Sequence, residues 1–168
     1  MTSTLLLGVL AWFHIFSAIG WFGGDLMLLV GMEPMLGKLA PATRREFMTT
    51  VFPRLYRLDA LFSTSTVLFG LLFAYEYTGG DLSMLSPSTS WGLAITVGAT
   101  LGLLAFLLEV LVDFPSERKV IAIMKTMSAD GAAPADLTRY QRRGEFAEIA
   151  VVVLLFAALV FMVAAGQI

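Results

Sequence analysis

The chain contains no cysteine, which removes disulfides, thiolate metal sites, iron–sulfur clusters and thiol nucleophiles from consideration. Charge is scarce as well: 14% of the 168 residues are charged against 58% hydrophobic, and the mean hydropathy of +0.82 excludes an ordinary water-soluble domain. Histidine occurs once, as His14. No Lys or Arg occurs in the N-terminal tail, from Leu58 through Glu117, or after Arg143, so basic charge is confined to two short regions. The net charge of −2 says little about partners, and a nucleic-acid partner is not expected, since the basic loops lie against the bilayer and lack a recognisable module.

What the sequence does have is apolar length. Four stretches, Leu5 to Gly31, Ala60 to Tyr77, Trp91 to Val112 and Phe146 to Ala165, approach or exceed the length of about 20 residues that a helix needs to cross a bilayer. They predict an all-α integral membrane four-helix bundle, one domain over residues 1–168, with loops over 32–59 and 113–145. Lys38, Arg44, Arg45, Arg54 and Arg57 fall in the first loop, and Arg118, Lys119, Lys125, Arg139, Arg142 and Arg143 in the second. The positive-inside rule then places both loops in the cytoplasm and both termini on the external side of a multi-pass protein of the cell membrane. Anionic lipid headgroups are the natural neighbours of these basic loops. A cleaved leader is not expected, because the first apolar stretch lacks a basic start and carries His14 and Asp25.

Within the loops, Thr43 and Glu46 fit a capping box opening a short helix to Val51, which Phe52-Pro53 should end. Val120, Ile121, Met124 and Met127 share one helical face, with Arg118, Lys119 and Lys125 elsewhere, the pattern of a helix lying at the headgroup boundary. Ser128 to Pro134 reads as a turn, followed by a helix starting near Ala135.

Polar groups at membrane depth are costly, so they turn toward protein, cofactor or water. Helical spacing puts His14, Ala18, Trp21 and Asp25 on one face, with Ser17 and Gly24 beside it. Asp59, Ser63, Thr66 and Gly70 form a second stripe, and Gly98, Gly102, Glu109 and Asp113 a third; the two glycines have the spacing of a helix-packing motif. Asp25, Asp59, Glu109, Asp113, Glu145 and Glu148 all fall toward the cytoplasmic ends of the helices, near Arg54, Arg57, Arg142 and Arg143. Two readings follow: a cation or proton path over Asp25, Asp59, Glu109, Asp113 and Glu148, or a network of ion pairs and helix caps.

His14 lies roughly 16 Å along the helix axis from Asp25 at about 1.5 Å per residue, so one site does not easily include both. The imidazole, flanked by Trp21, Gly24 and Ser17, suits an axial ligand of haem b; copper, with Met27, Met32, Met35 or Met162 as soft partners, is the alternative metal. A second axial ligand would come from a methionine, a homodimer mate or another subunit of a membrane complex. The plain alternative is a buried histidine hydrogen-bonded to Ser, Thr or a carbonyl. Hydrolytic chemistry is disfavoured, because Ser63-Thr64-Ser65-Thr66 is expected near the end opposite His14.

His14-x6-Trp21-Phe22-Gly23-Gly24 resembles the first-helix pattern of small four-helix membrane proteins of the copper-resistance CopD type and of HemJ-type protoporphyrinogen oxidases. Glu33-Pro34-Met35-Leu36 through Phe52-Pro53-Arg54-Leu55-Tyr56 is similar to a segment of four-helix domains that have no assigned activity. The likeness extends from about Ala11 to Gly70. It implies a four-helix fold and a histidine, at the position of His14, that ligates haem or handles copper.

Overall fold

Residues 4–127 and 134–167 are described by a computed structural model of the chain. Four long helices account for most of them: α1 (Thr4–Leu36), α2 (Pro41–Tyr77), α3 (Ser90–Thr126) and α4 (Ala135–Ala165). Each is long and apolar enough to cross a membrane, and no strand occurs among the described residues. The protein is therefore an all-α, multi-pass membrane bundle. Short connections make neighbours antiparallel. α1 packs mainly on α2 and α3 mainly on α4, so that two hairpins meet to form the bundle. The turn expected over Ser128 to Pro134 falls, apart from Pro134, outside the described residues.

Much of the sequence expected as loop is helix. Three prolines, Pro34, Pro53 and Pro115, sit inside the long helices, and immediately before each the chain winds into a π turn: Met27–Met32, Phe47–Val51 and Glu109–Asp113. Proline has no N–H to donate, and its ring collides with the carbonyl four residues back. The wider turn relieves that collision. The residue before each proline donates instead to a carbonyl five positions back, Glu33 to Leu28, Phe52 to Phe47 and Phe114 to Glu109. Phe52-Pro53 consequently does not end a helix, contrary to the sequence expectation. Nor does Thr43 cap one: α2 opens at Pro41, with Ala40 as the preceding residue and no side-chain cap, because proline is already preset for the first helical position.

The face formed by Val120, Ile121, Met124 and Met127 meets protein and not headgroups. Val120 and Met124 are buried with Met48 and Leu137 in a core at the hairpin end, with Met127 packed against it. Arg45 of α2 fastens this arrangement by donating from Nε to the Met124 carbonyl at 2.9 Å and from its guanidinium to the Lys125 carbonyl at 3.3 Å. A helix C-terminus with unsatisfied carbonyls is a natural seat for an arginine. The second core, around Trp21, Ala105, Val151 and Leu155, lies deeper in the bundle. Large apolar residues such as Ile19, Leu71, Leu111 and Val163 stay exposed, as expected where acyl chains are the solvent.

At the other end, Asp81 caps the 3-10 turn Leu82–Leu85 by accepting from the Ser83 N–H at 3.0 Å. Bonding from the Ser83 side chain and backbone holds this exposed carboxyl below the usual carboxylate range. Thr89 caps α3 by accepting from the Gly92 N–H at 2.9 Å. Gly92 lies so close to the Ser86 carbonyl that a Cβ would overlap it. Of the expected glycine pair, Gly98 abuts Met162 and the Ala158 carbonyl, whereas a Cβ on Gly102 would meet nothing within 4 Å. Gly92→Ala should therefore cost on the order of 1–3 kcal/mol through overpacking. Gly102→Ala should be neutral or stabilising by up to about 1 kcal/mol. Thermal unfolding in detergent micelles, followed by circular dichroism, checks both.

Candidate functional site

The four helices border an open cavity of about 570 Å³ at the end where the basic residues cluster. Seven carboxylates line it: Asp25 and Glu33 from α1, Asp59 from α2, Asp113 and Glu117 from α3, and Glu145 and Glu148 from α4. Only Arg44 and Arg142 provide positive charge on the same wall. Every helix contributes at least one acid, and the three π turns border the same space through Leu28, Leu29, Met32, Met48 and Asp113.

Deeper still, Glu109 is 1% exposed and Asp25 5% exposed. The Asp59 carboxyl is close to both, and Glu109 also neighbours Ser63. Glu33 and Glu148 form a second close pair. Buried oxygens of Asp25, Asp59, Glu117 and Glu148, and both oxygens of Glu109, have no hydrogen-bond partner. Unpaired polar atoms in a low-dielectric interior are expensive, so each marks a place where a proton, a cation or water belongs.

The sequence placed Asp25, Asp59, Glu109, Asp113 and Glu148 on one path, and the structure gathers all five at one end of the bundle. Of the arginines near which they were expected, Arg142 lines the cavity with them, while Arg54, Arg57 and Arg143 are exposed and outside its wall. Sequence reasoning missed Glu33, Glu117 and Arg44 as cavity residues. The helical spacing from Asp113 to Glu117, and from Asp25 through Leu29 to Glu33, carried the signal, but only for a helix that continues through proline. Gly144 makes room for the acids: a Cβ there would lie 2.7 Å from a Glu117 oxygen. Tyr56, also on the wall, accepts a bond from Arg118 Nε at 2.9 Å and stacks edge-on against Phe114.

His14 occupies a different place. It is half-buried, and its Nδ1 lies 2.8 Å from the Thr66 carbonyl across the α1–α2 contact. The Ser63–Thr66 run was expected at the opposite end, yet its last residue meets the imidazole because antiparallel helices bring their midpoints level. Gly70 leaves the space for the ring, since a Cβ there would sit 2.8 Å from Nδ1. Trp21 is buried, edge-on to Phe106 at 6.4 Å, with Nε1 unpartnered. Ser17 is buried beside it, and a Cβ on Gly24 would meet nothing within 4 Å. Met27, Met32 and Met35 lie more than three turns along α1 from His14, and Met162 packs on Gly98. Among the described residues no group of three or more His, Asp or Glu is arranged to hold a metal ion.

No family model, curated protein or solved structure matches this chain.

Because a carbonyl can only accept, the neutral His14 ring carries its proton on Nδ1, leaving the Nε2 lone pair uncommitted. With a single histidine, nitrogen-15 NMR reads this tautomer without assignment. The wild type should show Nδ1–H, and Gly70→Ala, which drives a methyl into the ring, should lose that preference. An Nε2–H tautomer in the wild type would contradict the geometry.

Proposed function

We propose that this protein passes protons or small cations through the membrane, using the acid-lined cavity as its entrance and the Asp25–Asp59–Glu109 group as its intramembrane relay. The observation that carries this reading is the convergence of buried, unpartnered carboxyl oxygens from all four helices on one region. Inward acids from several helices are the usual mark of an ion or proton pathway. Beyond the relay lie Ser63, Thr66 and His14, hydroxyl and imidazole groups that lead toward the opposite face. The distribution of Lys and Arg orients the cavity toward the cytoplasm of a cell membrane. In proteoliposomes with a trapped pH indicator, Glu109→Gln and Asp25→Asn should each slow potential-driven proton flux at least about tenfold. Asp136→Asn, on an exposed acid outside the cavity wall, should leave it near wild type. Flux at the wild-type rate in all three variants would refute the relay.

A second reading, a redox protein with haem b or copper on His14, draws support from one observation: the Thr66 carbonyl holds the imidazole through Nδ1 and leaves Nε2 available, an arrangement common to metal-bound histidines. The resemblance of the first helix to CopD-like and HemJ-like proteins points the same way. The surroundings fit less well. Neither the acidic cavity nor the shallow apolar groove by Thr4, Gly8 and Trp12 includes His14 in its wall. Such a group would sit on the outer flank, against a second copy or another subunit. A Soret band that disappears in His14→Ala is this reading's expected result, and its absence from protein expressed with ample haem would end it.

A further inference from the structure

The two hairpins are packed closely within themselves and sparingly against each other. Inside a membrane, helices approach closely where small residues clear the way, and each described glycine that a Cβ would crowd is crowded by its own hairpin or by the adjoining connection. A Cβ on Gly20 would lie 2.7 Å from the Phe62 ring and one on Gly70 2.8 Å from His14, both between α1 and α2. Gly98 against Met162 and Gly144 against Glu117 do the same between α3 and α4. Across the seam between the hairpins, Trp21 meets Phe106 edge-on at 6.4 Å by packing alone, with no hydrogen bond from its Nε1. The two ends of this seam are closed differently. Away from the cavity the chain itself joins the hairpins: Gly79 and Gly80, at φ +61° and +84°, turn it out of α2. Tyr77 and Trp91 meet across that junction with ring centroids 5.7 Å apart, and Thr96 donates to the Leu85 carbonyl at 2.6 Å. At the cavity end both connections run within a hairpin, and what crosses the seam is Arg45 on the Met124 and Lys125 carbonyls, Arg118 on Tyr56, and Met48 seated among Val120, Met124 and Leu137. The cavity lies between these ends, beginning one turn beyond Trp21 at Asp25 and reaching Met48.

We infer that the hairpins are two jaws hinged at the Tyr77–Trp91 end, and that Arg45 and Met48 of α2 form a clasp on the C-terminal turns of α3 that sets how far the cavity opens. Bodies that are rigid in themselves, joined at one end and separated by open space toward the other, have the form of a hinge closure. The clasp is also built to release. Its hydrogen bonds end on carbonyls in the last turn of a helix, groups that have no partner within the helix and that water satisfies once the arginine leaves, so parting the jaws strands no backbone group. The His14–Thr66 bond and the glycine contacts lie inside the jaws and persist through the movement. The inference concerns how the hairpins move and holds whether or not the cavity carries protons.

Because the chain has no cysteine, pairs of spin labels on introduced cysteines in the full chain, held in phosphatidylcholine nanodiscs and read by double electron–electron resonance, test it. Ala42 and Ala122, exposed on opposite jaws at the cavity end, report the mouth. Leu72 with Leu93, exposed near the hinge, and Ala122 with Asp136, exposed within one jaw, serve as references. Arg45→Ala should shift the Ala42–Ala122 distribution to longer distances and leave both reference distributions where they are in the wild type. Met48→Ala, which vacates the apolar seat and keeps both arginine bonds, should lengthen the same distance. A mouth distance unchanged in both variants, or a displacement shared by the reference pairs, would overturn the inference. Neither result bears on the relay, which the flux through Glu109→Gln decides separately.

Discussion

A carboxyl group withdrawn from water into a bilayer must find a proton, a cation or a hydrogen-bond donor, and the position of every helix in this bundle answers to that requirement. Asp25, Asp59, Glu109 and Glu148 each come from a different helix, and none could face acyl chains without a cost of several kcal/mol. Turning all four inward fixes the rotation of all four helices together. The apolar residues then need only be apolar, which explains why so many large side chains remain on the outside while the interior of the cavity end is polar.

Proline and the π turn provide the space. Pro34, Pro53 and Pro115 force a widened turn in three of the four helices at the same end of the bundle, and π turns of this kind recur at functional sites. The third of them begins at Glu109 and ends at Asp113, so the turn that accommodates Pro115 also carries two acids of the site. Gly144 removes a side chain where Glu117 approaches α4. Meanwhile Arg45 and the Met48–Val120–Met124–Leu137 core hold the two hairpins together around the opening. Packing without a hydrophobic driving force between helices depends on such close fits and polar ties.

The architecture was legible from hydropathy alone, because four apolar runs and two basic patches leave little choice. The inward acids were legible too, since a charge in an apolar run has only one sensible direction. Two things were not. Pro53 read as a helix end and Pro34 and Pro115 as loop residues, and only the tertiary structure shows the chain winding through them, which hid Glu33 and Glu117 inside presumed loops. The amphipathic face of Val120, Ile121 and Met124 carries no label distinguishing headgroups from a protein core, and Met48 and Leu137 proved to be its partners. His14 was read as an inward polar group; its bond to Thr66 spans two helices, and no spacing rule within one helix predicts such a contact.

The account stands on Asp59 lying between Asp25 and Glu109 in one buried cluster. Solid-state NMR on the carboxyl-labelled protein in lipid bilayers observes this directly. Short mixing times should give cross-peaks from the Asp59 carboxyl carbon to those of Asp25 and Glu109, each removed by the matching Asn or Gln substitution. If Asp59 showed neither contact, and Glu109 correlated only with water or headgroups, the shared site would not exist in the membrane.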